Sequence, residues 1–453
     1  MRLSFAPALA AALFLVTGCG RKAEPESTPG PRRLTAKMID SGFADAHDTY
    51  NSVSVASDGR VYYVLSSEKA DVGARMFSYD PPSNAVKSLG DLTEAAGEAG
   101  EKAIAQGKSH VRFVEHQGKL YFTSHIGYYT IVEGMEKPGL PPPGMKPYPG
   151  GHFLSYDLSS GKFESLAVAP HHEGIITFNM DTRRQRLYGL SWPTGRFLVY
   201  DLAKSELKDL GPISEKGEDG RGSTFRTICR SLTINPQDGS VYFSTSEGKI
   251  HRYFPTNDTF EVVANDNLRK DYFGLYDPAS SGSMAYNWRQ TFWYAPEKAI
   301  YGVHGNSGYL FRFLTASETV EVVDRITSEE SKRSGMFDQF SYGYLGFTLA
   351  PDGRTIYYLT GGPVFEEGRR IQGKEGTAKG ESKGRENLHL ITWDIPTRHY
   401  IDHGPIFFAN GQRPTYVNSI AVGKDGTVYA LSRIAEDEHA RTGLMKIEPV
   451  SLH

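Results

Sequence analysis

Only two of the 453 residues are cysteines, Cys19 and Cys229, and only four are tryptophans. Two thiols exclude a disulfide framework and a cysteine-rich zinc or iron-sulfur centre. An excess of one charge is missing too: 50 Lys and Arg stand against 53 Asp and Glu, a formal net charge of -3. That balance excludes a nucleic-acid binder driven by a basic surface, and a polybasic membrane surface. No apolar run is long enough to span a bilayer. The strongest, "FAPALAAALFLV", is too short for that.

The run follows Met1 and Arg2 and precedes "VTGC", the order of a positive n-region, an apolar h-region and small residues at a cleavage site. Residues 16–19 resemble the lipobox of bacterial lipoproteins, which implies a signal peptide over 1–18 and an acylated Cys19 anchored in a lipid bilayer. An ordinary cleavage that leaves Cys19 free is the alternative. Gly20 is not the aspartate that retains such proteins at the inner membrane, so the expected address is the outer membrane, periplasmic or surface-facing. Residues 19–33 read as a polar, Pro-containing spacer.

What the chain does hold is aromatic and turn-forming: 26 Tyr, 24 Phe, 48 Gly and 25 Pro. This mix favours strands and tight turns. One pattern recurs seven times, an apolar strand, a turn, then a strand with a tyrosine after an aliphatic residue: "VASDGRVYYVLSS", "VEHQGKLYFTSH", "NMDTRRQRLYGLSW", "INPQDGSVYFSTS", "YAPEKAIYGVHG", "LAPDGRTIYYLTG" and "VGKDGTVYALSR". Each copy is followed by a second strand pair such as "FLSYDLSSGKFESL". The last copy stops at "LMKIEPVSLH", where its fourth strand should begin. An unpaired edge is costly, and residues 34–43, "LTAKMIDSGF", resemble the fourth strands elsewhere. The expectation is an all-β chain over 34–453, a seven-bladed β-propeller closed by the N-terminal strand. A β-sandwich with chance strand similarity is the alternative. Two insertions, 128–152 and 365–387, fall between second and third strands; the first is read as a lid and the second as a solvated loop.

In a propeller the starts of the first strands share one face with the loops between second and third strands. The stretch "KSHVRFVEHQGKLYFTSH" (108–125) places His110 at one end and His125 at the other. A two-residue Gln117-Gly118 turn would make them directly opposed cross-strand neighbours. Equivalent slots supply His47, Asp48, His172, Arg230, Tyr286, Trp288, Arg289, Tyr342, Tyr416 and Asn418, and the loops supply Trp192, Arg196 and His304. Each has a plainer reading: the repeat tyrosines as core, Trp192 as a cover, a lone histidine as a hydrogen-bonded structural residue. Two adjacent imidazoles repel when charged, which keeps one neutral as a base or metal ligand.

His, Arg and Tyr with stacking Trp suit an anionic sugar. Lyases of uronates need a cation for the carboxylate, a base for the C5 proton and an acid for the leaving oxygen. Arg230 or Arg289 is read as the cation, His110 or His125 as the base and a channel tyrosine such as Tyr286 or Tyr342 as the acid. His172, Trp192, Arg196, Trp288, Arg289, His304 and Tyr342 are read as substrate-binding. A histidine cluster could hold a divalent metal, but no spacing such as HExxH assigns one. The alternative function is a non-catalytic scaffold that binds a glycan or a protein. Acidic residues are too sparse in the first-strand slots for a lactonase-type metal site.

"SHVRFVEHQGKLYFTSH", "YPGGHFLSYDL" and "DTRRQRLYGLSWPTGRFLVYDL" together resemble the propeller polysaccharide lyases that act on ulvan, and more distantly oligogalacturonate lyases. The resemblance covers blades two and three best. It implies a seven-bladed propeller, β-elimination on a uronate-containing polysaccharide, and two catalytic histidines that map onto His110 and His125. The family's tyrosine and arginine find no residue-by-residue match, and blade three begins "HHEGIITF" without the tyrosine.

Overall fold

The computed structural model describes residues 33–133, 135–270, 286–304, 308–334, 346–363, 365–366, 369–370, 386–436 and 439–452. The readings that fall on the signal peptide, Cys19 and Tyr342 lie outside these residues.

The described chain is mainly β, built from small antiparallel meanders. The first sheet runs Val53–Val55, Val61–Leu65, Arg75–Asp80, Ala85–Asp91, paired in that order. The second is Val114–His116, Lys119–Thr123, His152–Asp157 and Phe163–Val168. The third is Gly174–Asp181, Arg186–Trp192, Arg196–Asp201 and Glu206–Pro212. A fourth starts at Thr233–Ile234 and a fifth at Gln290–Tyr294, again with four strands each. Apart from two two-stranded hairpins, the remaining strands form a nine-stranded sheet. One side is a sixth meander, Gly346–Leu349 to His399–Phe408; the other is a seventh, in which Tyr416–Val417 and Ala421–Val422 precede Val428–Glu436 and His439–Ile447.

The N-terminal strand Leu34–Ile39 joins the two halves of that sheet. It pairs antiparallel with the last strand, Ala36 opposite Ile447 and Met38 opposite Met445, and parallel with the sixth meander, Leu34 opposite Ile406. The strand read as missing from the seventh repeat thus has its partner.

Turn chemistry explains the meander. In the Asp-Gly copies the aspartate accepts a hydrogen bond from the backbone two residues on, Asp58 from Arg60 and Asp425 from Thr427, both at 3.0 Å, and the glycine takes a positive φ of 82° or 85°. All seven repeat tyrosines, Tyr62, Tyr121, Tyr188, Tyr242, Tyr301, Tyr357 and Tyr429, are buried. They and neighbouring rings knit adjacent sheets: Tyr62 to Tyr156, Phe153 to Phe178, Tyr188 to Tyr253, Tyr242 to Phe313, and Phe292 to Phe347. Tyr79 of the first sheet meets Tyr429 of the seventh at 6.1 Å. Such pairs add about 0.5–1.5 kcal/mol each beyond the area they bury.

First strands of neighbouring sheets are tied by polar side chains, Ser52 donating to the Val111 carbonyl and Asn287 to that of Thr227. Arg112 reaches from the second sheet to the Phe347 carbonyl of the sixth at 2.9 Å. The insertion read as a lid forms a hairpin, Tyr129–Val132 with Met135–Pro138. Most of the second insertion lies outside the described residues. No helix among the described residues is long and apolar enough to cross a membrane.

Candidate functional site

The site grows from the inner hairpin of the second sheet. Its turn is Gln117 and Gly118, with φ of 50° and 74°, the left-handed pair that a two-residue hairpin turn requires. Val114 then opposes Tyr121, as expected. Further along, the register slips by two residues, and the backbone of His125 exchanges both hydrogen bonds with Lys108 at 2.8 and 2.9 Å. Direct opposition of His110 and His125 is therefore corrected: Lys108 holds that position. The rings still meet, edge to face, with centroids 4.7 Å apart.

Close backbone packing makes room for this. His125 Nδ1 lies against Gly174, where a Cβ would fall 1.7 Å from it. Only glycine admits the ring there.

The pair opens onto a cavity of about 80 Å³ lined by Asp48, Tyr50, His110, His125, Tyr129, Glu136, Ile176, Trp192, Glu218, Arg230, Arg289, Tyr416 and Asn418. That volume is room for two or three waters, enough for a carboxylate and the edge of a ring but not for a polymer chain. Tyr50 packs on His110 at 4.2 Å, and Trp192 on His125 at 5.4 Å. Tyr129 packs edge-on against Trp192, also at 5.4 Å, and donates to the Ile126 carbonyl at 2.8 Å. Glu218 organises the far wall, accepting from Trp192 Nε1 at 2.9 Å and from Arg230 Nη2 at 2.7 Å. The lid hairpin is tied to the same wall through Lys137, whose ammonium donates to the Glu218 carbonyl.

Lys108, 1% exposed, is the buried cation of the site. Its ammonium donates to the Tyr50 hydroxyl, faces the rings of Tyr50 and Tyr129 at 4.3 and 4.0 Å, and pairs with Glu68 at 3.6 Å. Contact of a cation with two ring faces offsets part of the cost of its burial.

Burial, then the charges of Lys108 and Arg230, hold His125 well below the usual imidazole range. His110 lies well below it too, through burial first, then His125, Lys108, Arg230 and Arg289. Burial likewise depresses Lys108, and raises Tyr50 and Tyr129 well above the phenol range, with Asp48 and Glu136 the next contributors respectively. At neutral pH the cavity thus presents two neutral imidazoles and two protonated phenols, with Arg230 and Arg289 and the acidic side chains of Asp48, Glu136 and Glu218 also in its lining. His110 Nε2 and His125 Nδ1 are buried without a hydrogen-bond partner. His125 Nδ1 is closed off by Gly174, while His110 belongs to the lining of the cavity.

Of the residues proposed from the sequence, His110, His125, Arg230, Trp192 and Arg289 come together here. Asp48, Tyr416 and Asn418, from equivalent slots of other repeats, line it with them, whereas His172, Arg196, Trp288, His304 and Tyr286 do not. His172 is exposed, with Nδ1 3.2 Å from the Pro149 carbonyl. Arg196 is held by Asp209 at 2.6 Å. Trp288 is fully buried, donates to the Ser231 carbonyl and stacks on Phe311, a core role in place of the substrate contact expected. His304 is 1% exposed, and Tyr286 lies beside Gly248. Lys108, Tyr50, Glu68, Glu136 and Glu218 were not singled out. Tyr50 stands two residues beyond the noted Asp48, a signal within reach; the two-residue slip that brings in Lys108 has no mark in the sequence.

Among the described residues, one grouping has three side chains close enough to share a metal: Glu330, His389 and Asp402. Asp402 already accepts from His389 Nδ1 at 2.9 Å and from the backbone of Glu329 and Gly404, both at 2.8 Å. That pattern is of a helix cap and strand brace, away from the cavity.

No protein-family model matches the chain, and no curated protein matches it. Among solved structures, the extracellular domain of the hybrid two-component system BT4673 from B. thetaiotaomicron is similar over 93% of this chain, with a TM-score of 0.49 and 13% identity; the chain spans 40% of that protein's length. A chain of the mitotic checkpoint complex aligns over 97% of this chain and 100% of its own, with a TM-score of 0.48 and 11% identity. A chain of a nidogen/laminin complex aligns over 60% of this chain and 78% of its own, with a TM-score of 0.37 and 9% identity.

Proposed function

We propose that the seven meanders close into one seven-bladed β-propeller, and that the cavity binds the acidic group of a uronate-containing polysaccharide and cleaves the chain there by β-elimination. The observation that supports this reading is that His110, whose Nε2 is buried without a hydrogen-bond partner, lines one cavity with Arg230, Arg289 and Tyr50. The guanidinium groups neutralise the carboxylate, which acidifies the adjacent C5-H. His110 Nε2 takes that proton. The C5 electron pair forms the C4=C5 double bond as the C4-O bond breaks, and Tyr50 gives its proton to the departing oxygen. Lys108 then meets the phenolate that forms. His125 packs against His110 and keeps it neutral.

The test is incubation with ulvan, pectin fragments and other uronate polymers, read as the absorbance of unsaturated products. A rise that His110→Ala abolishes supports the reading. Saturable binding without product would leave a glycan-binding scaffold, and neither would end both. We propose further that Cys19 is acylated and anchors the protein at the outer membrane, on the strength of residues 1–19 alone. Incorporation of labelled palmitate, lost in Cys19→Ala, tests it.

A further inference from the structure

We infer that Ser165 is an activated nucleophile, driven by a Ser165–His152–Glu98 relay on the outer edge of the second sheet and directed at activated acyl and phosphonyl compounds. His152 opens the strand His152–Asp157 and is 3% exposed. Its Nε2 lies 2.7 Å from Glu98 Oε1, and its Nδ1 lies 2.7 Å from Ser165 Oγ. Ser165 itself is exposed, on the outer strand Phe163–Val168. A serine of the exposed outer strand thus rests its hydroxyl on a buried imidazole backed by a carboxylate.

The tautomer follows from the partners. A carboxylate only accepts, so the ring hydrogen sits on Nε2 and Nδ1 is left to accept from the serine hydroxyl. The second Glu98 oxygen is occupied by Gln106 Nε2 at 2.9 Å, which fixes the carboxylate. The His152 backbone is fixed too, donating to Ser124 Oγ at 2.9 Å. Pairing with the outer strand slips between Phe153 and Leu154, a bulge of the kind that re-aims a side chain. Together these are the parts of a nucleophile, base and orienting acid, recognised by geometry and not by sequence order.

In the reaction Ser165 Oγ attacks the acyl carbon as its proton passes to His152 Nδ1, and Glu98 steadies the imidazolium. The bond to the leaving group then breaks and that group takes the proton. Water repeats the sequence to release the acid. The rim is open, so the developing oxyanion is left to solvent. Esters and phosphonates with good leaving groups, which need least help at that oxygen, are the fitting class.

The experiment treats the full chain with a fluorophosphonate probe and maps adducts by peptide mass. One adduct on Ser165, absent from Ser165→Ala of unchanged melting temperature, is expected. Glu98→Gln should slow labelling by about 100-fold, the lower part of the range for general-base help. The site of the wild-type adduct needs no variant to fold. No adduct under conditions that label a serine esterase fully, an adduct only on another serine, or a rate indifferent to Glu98→Gln would each overturn the relay. His110→Ala should label like the wild type, since the cavity takes no part.

Discussion

His110 and His389 are both histidines of a packed interior in contact with a second titratable group, and the second group makes them opposites. His389 has a carboxylate: Asp402 sits 2.9 Å from its Nδ1, and the two side chains are only 4% and 5% exposed. His110 has another imidazole, with Lys108, Arg230 and Arg289 near enough to push its proton off. The first arrangement satisfies a ring and braces a strand. The second leaves a buried nitrogen without a hydrogen-bond partner in the wall of the cavity, which costs stability.

The sharpest break of that contrast is alanine at each position. His110→Ala should lower polysaccharide cleavage by roughly 10²–10⁴-fold, the reach of a general base, with little change in melting temperature. A large loss of stability with activity retained would make His110 the structural member of the pair. His389→Ala should do the reverse, costing about 1–3 kcal/mol by denaturant unfolding because the buried Asp402 carboxylate loses the imidazole it pairs with, while turnover stays within a few-fold.

A smaller effect is expected at Gly174. Alanine there drives His125 off its seat, since the new methyl would fall 1.7 Å from Nδ1, and overpacking of this kind costs about 1–3 kcal/mol. Activity should fall with it; a neutral substitution would mean the ring has somewhere else to go.

Acid offers a third comparison. His110 and His125 stay neutral in the fold, yet they charge in the unfolded chain below the ordinary imidazole value of about 6.5. The unfolded state therefore binds more protons, and stability should drop by about 1.4 kcal/mol per pH unit per histidine as pH falls below that value. Unfolding curves at successive pH values measure the slope, and removal of His110 should flatten it by about half. The smallest effect belongs to Arg196, partly exposed and paired with Asp209: alanine should shift stability by about 0.5 kcal/mol or less and leave cleavage intact.

The strand pattern was legible because its signals are local. Asp-Gly turns with a bonded aspartate, a tyrosine buried in every second strand and a final repeat lacking one strand can all be read off a window of about a dozen residues. The site was legible only where it shares those windows. His110 and His125 end the two arms of one hairpin, and their meeting followed from the arm lengths. Their register did not, because nothing between Ser109 and Phe113 announces that Lys108 will take the place opposite His125. Side-chain direction failed similarly at Trp288 and Arg289: neighbours in sequence, they point to core and cavity, and the parity of a strand start cannot be fixed without its partner.

Strand Leu34–Ile39 sets an order of events as well as a pairing. Its antiparallel partner, His439–Ile447, is separated from it by nearly the whole described chain, so this strand waits with open edges until its partner is made. Contacts of such long sequence separation form late and slowly, and the waiting edge is the segment most exposed to mispairing with another chain. Joining the two ends by a short linker and opening the chain at a surface turn elsewhere should therefore speed the final folding step without touching a single residue of the cavity.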